Sequence, residues 1–305
     1  MKLLIATEKP FSKVAVDGIK CVADEAGYEL ALLEKYTEKG QLLEAVADAD
    51  ALIVRSDKVD AEVVAAAKRL KIVVRAGAGF DNLDLEACTK AGVCAMNTPG
   101  QNANSVAELV FGLLVMAVRN FYNGTSGTEL KGKKLGILAF GNVGRNVARI
   151  AAGFGMEVMA YDAFCPAEAI EAAGVRAAKC QEELFELCDV VSLHIPATAE
   201  TRGSINAELV GKMKKGGILV NTARKEVVDE ESLLSLMEVR EDIKYVTDIK
   251  PDLDGEFASK CAGRYFATPK KMGAQTAEAN VNAGIAAARQ IVAFLRDGVT
   301  RFKLN

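Results

Sequence analysis

Histidine occurs once in this chain of 305 residues, at His194, and tryptophan does not occur at all. A single imidazole excludes every multi-histidine metal site, including the H-E-x-x-H zinc helix and the paired Glu-x-x-His di-iron motif. The seven cysteines, at 21, 88, 94, 165, 180, 188 and 261, form no C-x-x-C pair and are odd in number. That spacing excludes a cysteine-only zinc site and a disulfide framework, and it fits a reducing compartment. Long apolar runs are missing too. The longest, 109–118, is interrupted by Gly112 and reaches about half of the ~20 residues a bilayer span needs. The N-terminus meets Thr7 and Glu8 too soon for the apolar core of a signal peptide, so an unexported, cytoplasmic protein is expected. A formal charge of −3 supplies no one-signed field for nucleic acid or an anionic membrane.

What is present is an alternation of short strand-like runs with longer helix-period segments. It predicts an α/β protein with parallel sheets, and the length suggests two domains. Strands are expected at 2–6, 29–33, 51–54, 71–74, 134–139, 157–161, 190–193, 218–221 and 245–248. The stretch 104–118 is apolar on almost every face, so it predicts a buried helix capped by Asn102 or Asn104, joining two halves or lining an interface. The glycine-rich, polar segment 120–132 predicts a loop.

The segment 134–148 reads as strand, tight turn and helix, with Gly141 and Gly144 in the pattern A-x-G-x-x-G. In a dinucleotide-binding turn one glycine lets the backbone approach the pyrophosphate, the next lets strand and helix pack closely, and the phosphates rest on free N–H groups. Ala139 stands where the first glycine usually is, so the turn is expected to be compatible with a Cβ. The next predicted strand ends in Asp162, 21 residues after Gly141, where an acid hydrogen-bonds the ribose 2′-hydroxyl. No Arg or Lys occurs in 163–166, so NAD is expected rather than NADP.

These segments resemble the D-2-hydroxyacid dehydrogenase family over essentially the whole chain. The resemblance is carried by Ile53-Val54-Arg55-Ser56, Val74-Arg75-Ala76-Gly77-Ala78-Gly79-Phe80-Asp81-Asn82 and Asn97-Thr98-Pro99-Gly100-Gln101-Asn102 with Ser105-Val106-Ala107-Glu108. Beyond the glycine turn it continues in Asp189-Val190-Val191-Ser192-Leu193-His194-Ile195-Pro196 and Asn221-Thr222-Ala223-Arg224 with Val228-Asp229-Glu230. It implies two doubly wound parallel-sheet domains: a flavodoxin-like outer domain, 1–98 plus 274–305, and a Rossmann NAD domain, 99–273, with the substrate held in the cleft between. Cofactor contacts are implied for Ala78, Gly141, Asn142, Val143, Gly144, Asp162, His194, Ile195, Pro196, Thr222, Ala223, Arg224 and Asp248. Arg224 matches the arginine that pairs with the substrate's carboxylate and carbonyl, a task suited to a permanent, bidentate charge. Ser56, Gly77, Ala78, Gly79 and Asn102 join it as implied substrate contacts. Arg55 and Arg75 fall at strand ends, which face the ligand crevice of open α/β sheets. As an anion funnel they favour a small phosphorylated 2-hydroxy acid over lactate or glycerate. The resemblance further implies a homodimer built on the helix near 104–118 and, since the chain ends soon after 276–297, no serine-sensing C-terminal domain.

One departure matters. The family's acid/base histidine follows a Thr-Pro, but here the stretch reads Ala267-Thr268-Pro269-Lys270-Lys271-Met272-Gly273-Ala274, without histidine. Counting back from Gly273 puts Lys271 at that place and counting forward from Pro269 puts Lys270 there; Lys271 is preferred, because the glycine leads into the helix. The histidine's glutamate partner is also missing, its place falling on Leu253 between Asp252 and Asp254. A glutamate would push a lysine's ordinary pKa of about 10.4 further from neutrality, so the two losses belong together, with Asp252 as a residual catalytic partner. The chain is expected to be either an NAD-dependent dehydrogenase working through Lys271 or a cofactor-sensing protein that has lost catalysis. Among dehydrogenases, a hydroxypyruvate or glyoxylate reductase is the alternative.

Overall fold

Nearly continuous apolar runs of four to six residues can be strands only if both faces of their sheet are covered, and two sheets of that kind form here. The computed structural model describes all 305 residues. They divide into two units, Met1–Asn102 with Gln275–Asn305, and Ala103–Ala274. No helix is long and apolar enough to cross a membrane.

The first unit contains β1 (Lys2–Thr7), α1 (Lys13–Ala26), β2 (Glu29–Glu34), α2 (Lys39–Val46) and β3 (Ala51–Val54). It continues through α3 (Ala61–Ala66), β4 (Ile72–Arg75), α4 (Leu85–Lys90) and β5 (Cys94–Asn97). The sheet is parallel throughout, in the order β2-β1-β3-β4-β5. Strand alternation divides the apolar side chains between two layers. Leu3 and Ile5 pack with Ile19 and Ile291, whereas Leu4 and Ala6 pack with Leu42, Val46 and Val63. Each such buried aliphatic side chain contributes about 1.5–3 kcal/mol. At the chain's end, Leu304 N–H donates to Ala95 and the Asn305 side chain accepts from Ala95 N–H, covering the free edge of β5.

The second unit opens with α5 (Ala103–Val118), then β6 (Lys134–Leu138), α6 (Asn142–Gly153), β7 (Glu157–Tyr161), α7 (Ala167–Glu171), β8 (Arg176–Ala177), α8 (Gln181–Leu187), β9 (Val190–Leu193), α9 (Ala207–Gly211) and β10 (Ile218–Asn221). It closes with α10 (Glu230–Val239), β11 (Lys244–Thr247), α11 (Asp254–Lys260) and β12 (Tyr265–Ala267). The strand order is β12-β11-β10-β9-β6-β7-β8, again parallel throughout. The last helix, α12 (Ala277–Asp297), returns to the first unit.

Helix α5 is buried over most of its surface, as its composition predicts. It starts at Ala103, so Asn104 lies inside its first turn and bonds Glu108 and Arg149 instead of acting as a cap. Its last turn receives Lys244, whose Nζ donates to the Ala117 carbonyl at 2.7 Å and to Asn120 at 2.8 Å. A cation there complements the negative end of the helix. The predicted loop 120–132 begins with a left-handed turn, Asn120–Tyr122, in which all three φ angles are positive.

Three strands escape the sequence pattern. β5 is Cys-Ala-Met-Asn, poor in β-formers; β8 has two residues; β12 is a three-residue, half-buried edge. The expectation for Ala139 is corrected as well. Its φ is +77°, so the turn keeps the left-handed conformation that favours glycine, and the Cβ is borne as strain of about 1 kcal/mol. A hydrogen bond from Ala139 N–H to the Tyr161 carbonyl, 2.8 Å, holds it there. Replacing Ala139 by glycine is therefore expected to stabilise the protein by about 1 kcal/mol. Urea unfolding followed by circular dichroism checks this; an unchanged or lower midpoint would show the conformation to be unstrained.

Candidate active site

The order of each sheet reverses at one point, between β6 and β9 in the second unit and between β1 and β3 in the first. Open α/β sheets bind ligands beyond the strand ends at such points. In the second unit this place is built for a dinucleotide. A Cβ on Gly144 would strike the Ala139 carbonyl oxygen and approach Ile137 to 3.0 Å, so only glycine lets α6 close on β6. Gly141 is open: nothing lies within 4 Å of an added Cβ, and no side chain caps α6. The N–H groups of Asn142, Val143 and Gly144 thus begin a 12-residue helix whose positive end attracts phosphate.

Asp162 ends β7 with both carboxylate oxygens engaged. Oδ2 accepts from Phe140 N–H at 2.7 Å, and Oδ1 from Phe164 and Cys165 N–H at 2.8 and 3.0 Å. It therefore shapes the glycine turn. A cation does approach this loop, through space rather than along the chain. Arg145, from α6, lies with Cζ 4.6 Å from the Phe140 ring centroid and Nη2 3.4 Å from Cys165 Sγ. A search of the residues after Asp162 cannot find it.

Across the reversal point, β9 delivers His194, half-buried, followed by half-buried Ile195 and exposed Pro196. Nε2 of His194 lies 2.9 Å from the buried Ser192 hydroxyl, and burial pushes its pKa down to about 3. The imidazole is neutral at neutral pH and is no acid/base for catalysis there. After β10, the Asn221 side chain accepts from Ala223 N–H and donates to the Arg224 carbonyl, fixing the turn 222–224. Thr222 is 5% exposed and its Oγ1 has no partner in the chain. An orphaned buried hydroxyl at the end of one strand, with an uncapped glycine turn two strands away on the same sheet, fits a bound NAD, whose polar groups would satisfy it. Arg224 is half-buried, donates to its neighbour's carbonyl at 2.8 Å and pairs with no carboxylate of the chain.

The lysine segment hangs on a buried carboxylate. Asp248 is 0% exposed at the end of β11. Oδ1 accepts from Met272 N–H at 2.7 Å and the Thr268 hydroxyl at 2.9 Å, while Oδ2 accepts from Gly273 N–H at 2.8 Å. A Cβ on Gly273 would come within 3.0 Å of Oδ2. The exposed Lys271 thus stands immediately before a clasped turn, whereas the Lys270 carbonyl is turned toward Thr268. Asp252 is not part of this arrangement. Its side chain is 78% exposed and ion-paired with Lys225, so the acid that meets the lysine turn is Asp248.

In the first unit the two strand-end arginines differ. Arg55 is largely committed: Nη1 donates to the carbonyls of Lys9 and Pro10 at 3.0 and 3.1 Å, and Nη2 to Asn280 at 2.6 Å. Beside it the buried Asp57 accepts from Glu8 N–H, Arg55 N–H and the Tyr36 hydroxyl. Together they close the β1/β3 reversal point and hold Arg55 within its own unit. Arg75 Nε donates to the Arg55 carbonyl at 3.0 Å and its guanidinium lies over Gly77, where a Cβ would overlap Nη1. Gly77 has φ +149° and is buried, Ala78 is exposed, and Gly79 is half-buried. Asn97 steadies the loop through the Ala78 carbonyl at 2.6 Å, and Asn82 through those of Arg55 and Asp57. Ser56 is exposed and Asn102 half-buried. Asp57, Asn82, Asn97 and Thr268 are structural parts to which the sequence reading assigns no role; Asn97 and Thr268 end or follow an apolar strand, whereas Asp57 and Asn82 carry no such signal.

Comparison with known proteins agrees with this geometry. Residues 113–252 match the family described as D-isomer specific 2-hydroxyacid dehydrogenase, NAD binding domain. A hydroxypyruvate reductase of Thermotoga maritima is 39% identical over 278 residues, 84% of this chain and 88% of that protein. A D-3-phosphoglycerate dehydrogenase of Methanocaldococcus jannaschii is 36% identical over 95% of this chain, though this covers 57% of that protein. The chain spans about half the length of such phosphoglycerate dehydrogenase relatives. The crystal structure of NAD+-bound 3-phosphoglycerate dehydrogenase from Entamoeba histolytica is similar with a TM-score of 0.87 and 48% identity, covering 100% of this chain and 98% of that one.

The Asp248 clasp carries a prediction of its own. Asparagine at 248 would turn an N–H2 toward a backbone donor, and Asp248→Asn is expected to cost about 2 kcal/mol. Urea unfolding measures it; an unchanged midpoint would show the clasp to be dispensable.

Proposed function

The chain belongs to the D-isomer specific 2-hydroxyacid dehydrogenases and uses NAD, and from that premise we propose that it oxidises 3-phosphoglycerate to 3-phosphohydroxypyruvate. The observation that carries the choice of substrate is Arg75. Its guanidinium is laid along a glycine loop at a strand end, anchored at Nε, with its planar fork suited to a phosphate. NAD, when bound, supplies the hydride acceptor. Arg224 holds the substrate carboxylate and lowers the energy of charge developing on the reacting oxygen. The N–H groups of 77–79 assist with the carboxylate, and Lys271 Nζ takes the hydroxyl proton. The reaction would open the phosphorylated route to serine, in the cytoplasm, by a homodimer.

A second reading, reduction of hydroxypyruvate, is favoured by one observation: Arg55 is spent within its own unit, which leaves the phosphate a single strand-end arginine. The two separate in one assay of NADH oxidation. The phosphorylated 2-oxo acid is expected to be preferred over hydroxypyruvate, and Arg75→Ala to lose about 10- to 100-fold in kcat/KM for the phosphorylated substrate alone. A preference for hydroxypyruvate that Arg75→Ala leaves intact would select the second reading.

The proton-transfer role is tested by Lys271→Ala, which is expected to abolish turnover while NADH still binds; full activity would overturn it. The pH profile gives the sign. A lysine that accepts a proton must be neutral, so oxidation speeds up as pH rises, and reduction, which needs the ammonium form, slows. His194, held at about 3, adds no inflection between about pH 5 and 8. No turnover with any 2-oxo acid between about pH 6 and 10 would point instead to a protein that binds the cofactor without chemistry.

A further inference from the structure

The loop that leaves β4 is tied down on both sides. Ala76 N–H donates to the Val54 carbonyl at the end of β3, 2.8 Å. On the other side the end of β5 takes two successive carbonyls: Thr98 N–H donates to that of Gly77 at 2.9 Å, and Asn97 Nδ2 to that of Ala78 at 2.6 Å. Between these holds the chain turns at Gly77, whose φ of +149° suits glycine alone. Asn97 is 8% exposed and Thr98 0%, so both holds are made out of reach of bulk water, where a hydrogen bond is strongest. No peptide bond of the chain is cis, and in a planar trans peptide the C=O and the N–H of the next residue point in opposite directions. Drawing the Gly77 and Ala78 carbonyls toward β5 therefore turns the N–H groups of Ala78 and Gly79 away from it. No hydrogen bond within the chain engages either N–H, and Ala78 is exposed.

We propose that Asn97 is a positioning residue for the dehydrogenase reaction: its amide holds the Ala78 carbonyl so that the N–H groups of Ala78 and Gly79 stay aimed at the carboxylate of the substrate. The assignment rests on the reading that the loop 77–79 binds that carboxylate. Successive N–H groups turned to one side make a cradle for an anion. Its worth depends on order present before binding, because a peptide free to rotate would spend part of the binding energy on its own ordering. The end of β5 supplies that order twice. One hold comes from the main chain of Thr98 and survives any change of side chain; the other comes from the Asn97 amide and can be removed. An aspartate of the same shape cannot replace it, since a carbonyl needs a donor and an ionised carboxylate has none. Every 2-oxo acid carries the carboxylate, so the role does not depend on what stands at C3 of the substrate.

Steady-state reduction of hydroxypyruvate and of its 3-phosphate by NADH tests this. The carboxylate does not react, so its hold is alike in the ground and transition states and its loss falls on KM. Asn97→Ala and Asn97→Asp are each expected to raise KM for both substrates about tenfold, with kcat and the NADH dissociation constant little changed. Oxamate, an unreactive 2-oxo acid analogue, gives the same comparison as a Kd in the NADH complex, so the test does not require turnover. Asn305→Ala separates position from stability. It removes the bonds of Asn305 to Val93 and Ala95 along the same strand, and is expected to lower the thermal midpoint and leave KM alone. An equal rise of KM in Asn305→Ala, or no rise in either Asn97 variant, overturns the proposal. Ala78→Pro removes one N–H of the cradle itself and is expected to raise KM. If it does so while the Asn97 variants do not, the loop still holds the carboxylate and only the assignment of Asn97 falls; if it leaves KM unchanged, both fall. Should Asn97→Ala fail to fold, the nearly isosteric Asn97→Asp decides, and if neither folds the amide serves the fold alone and the assignment is overturned.

Discussion

A parallel sheet covered on both faces has one place for polar chemistry, the loops beyond its strand ends, and those loops have no ladder to hold them. Three aspartates answer that constraint here. Asp57 after β3, Asp162 after β7 and Asp248 after β11 each accept three hydrogen bonds, mostly from backbone N–H groups and at least one of them from a neighbouring loop. A carboxylate is suited to this because its two oxygens accept from several donors at once, and bonds to a charged acceptor are stronger than neutral ones. Each aspartate decides what its strand end can do. Asp57 helps to close one reversal point, Asp162 shapes the glycine turn of another, and Asp248 sets the turn that follows Lys271.

The same constraint explains why the two units treat equivalent positions differently. Both sheets reverse order once, and both bring polar side chains to that point. In the second unit the loop after β6 is a glycine turn with nothing in the space above Gly141, so its N–H groups remain available to a ligand. In the first, Arg55 occupies the corresponding space and donates to the β1–α1 loop and to α12. An arginine at a strand end is therefore not in itself an anion site. Arg75 lies instead over Gly77, which has no Cβ to displace its guanidinium.

Much of this was legible in the sequence, and the limits are physical. Long apolar strands and helix α5 are read directly because burial on all sides demands an apolar composition. β8 and β12 are not, since a short edge strand needs neither a β-branched run nor alternation. Gly141, Gly144, Asp162 and Arg224 carry local signatures and fall where those signatures place them. Arg145 does not, because its contacts are between loops distant in sequence, and Asp248, implied as a cofactor contact, is instead enclosed with both oxygens bound to the lysine turn. Asp252 fails for the complementary reason: proximity along the chain to a missing glutamate is no evidence of proximity in space, and the side chain reaches a surface lysine.

The single histidine links these points. A neutral imidazole in a family whose acid/base is ordinarily a histidine would leave the reaction without a proton carrier, unless another side chain occupied the carrier's place. Lysine can do so only if its amine is presented in a fixed direction, because its four-carbon stem is otherwise the most mobile element of any such site. The glutamate that would orient a histidine acts on a ring from the side, and an ammonium offers no ring to orient. Fixing the backbone on which a lysine stands restricts the directions its stem can take. The two consecutive N–H groups that follow Lys271 are both bound to one buried carboxylate, which fixes the main chain at that point.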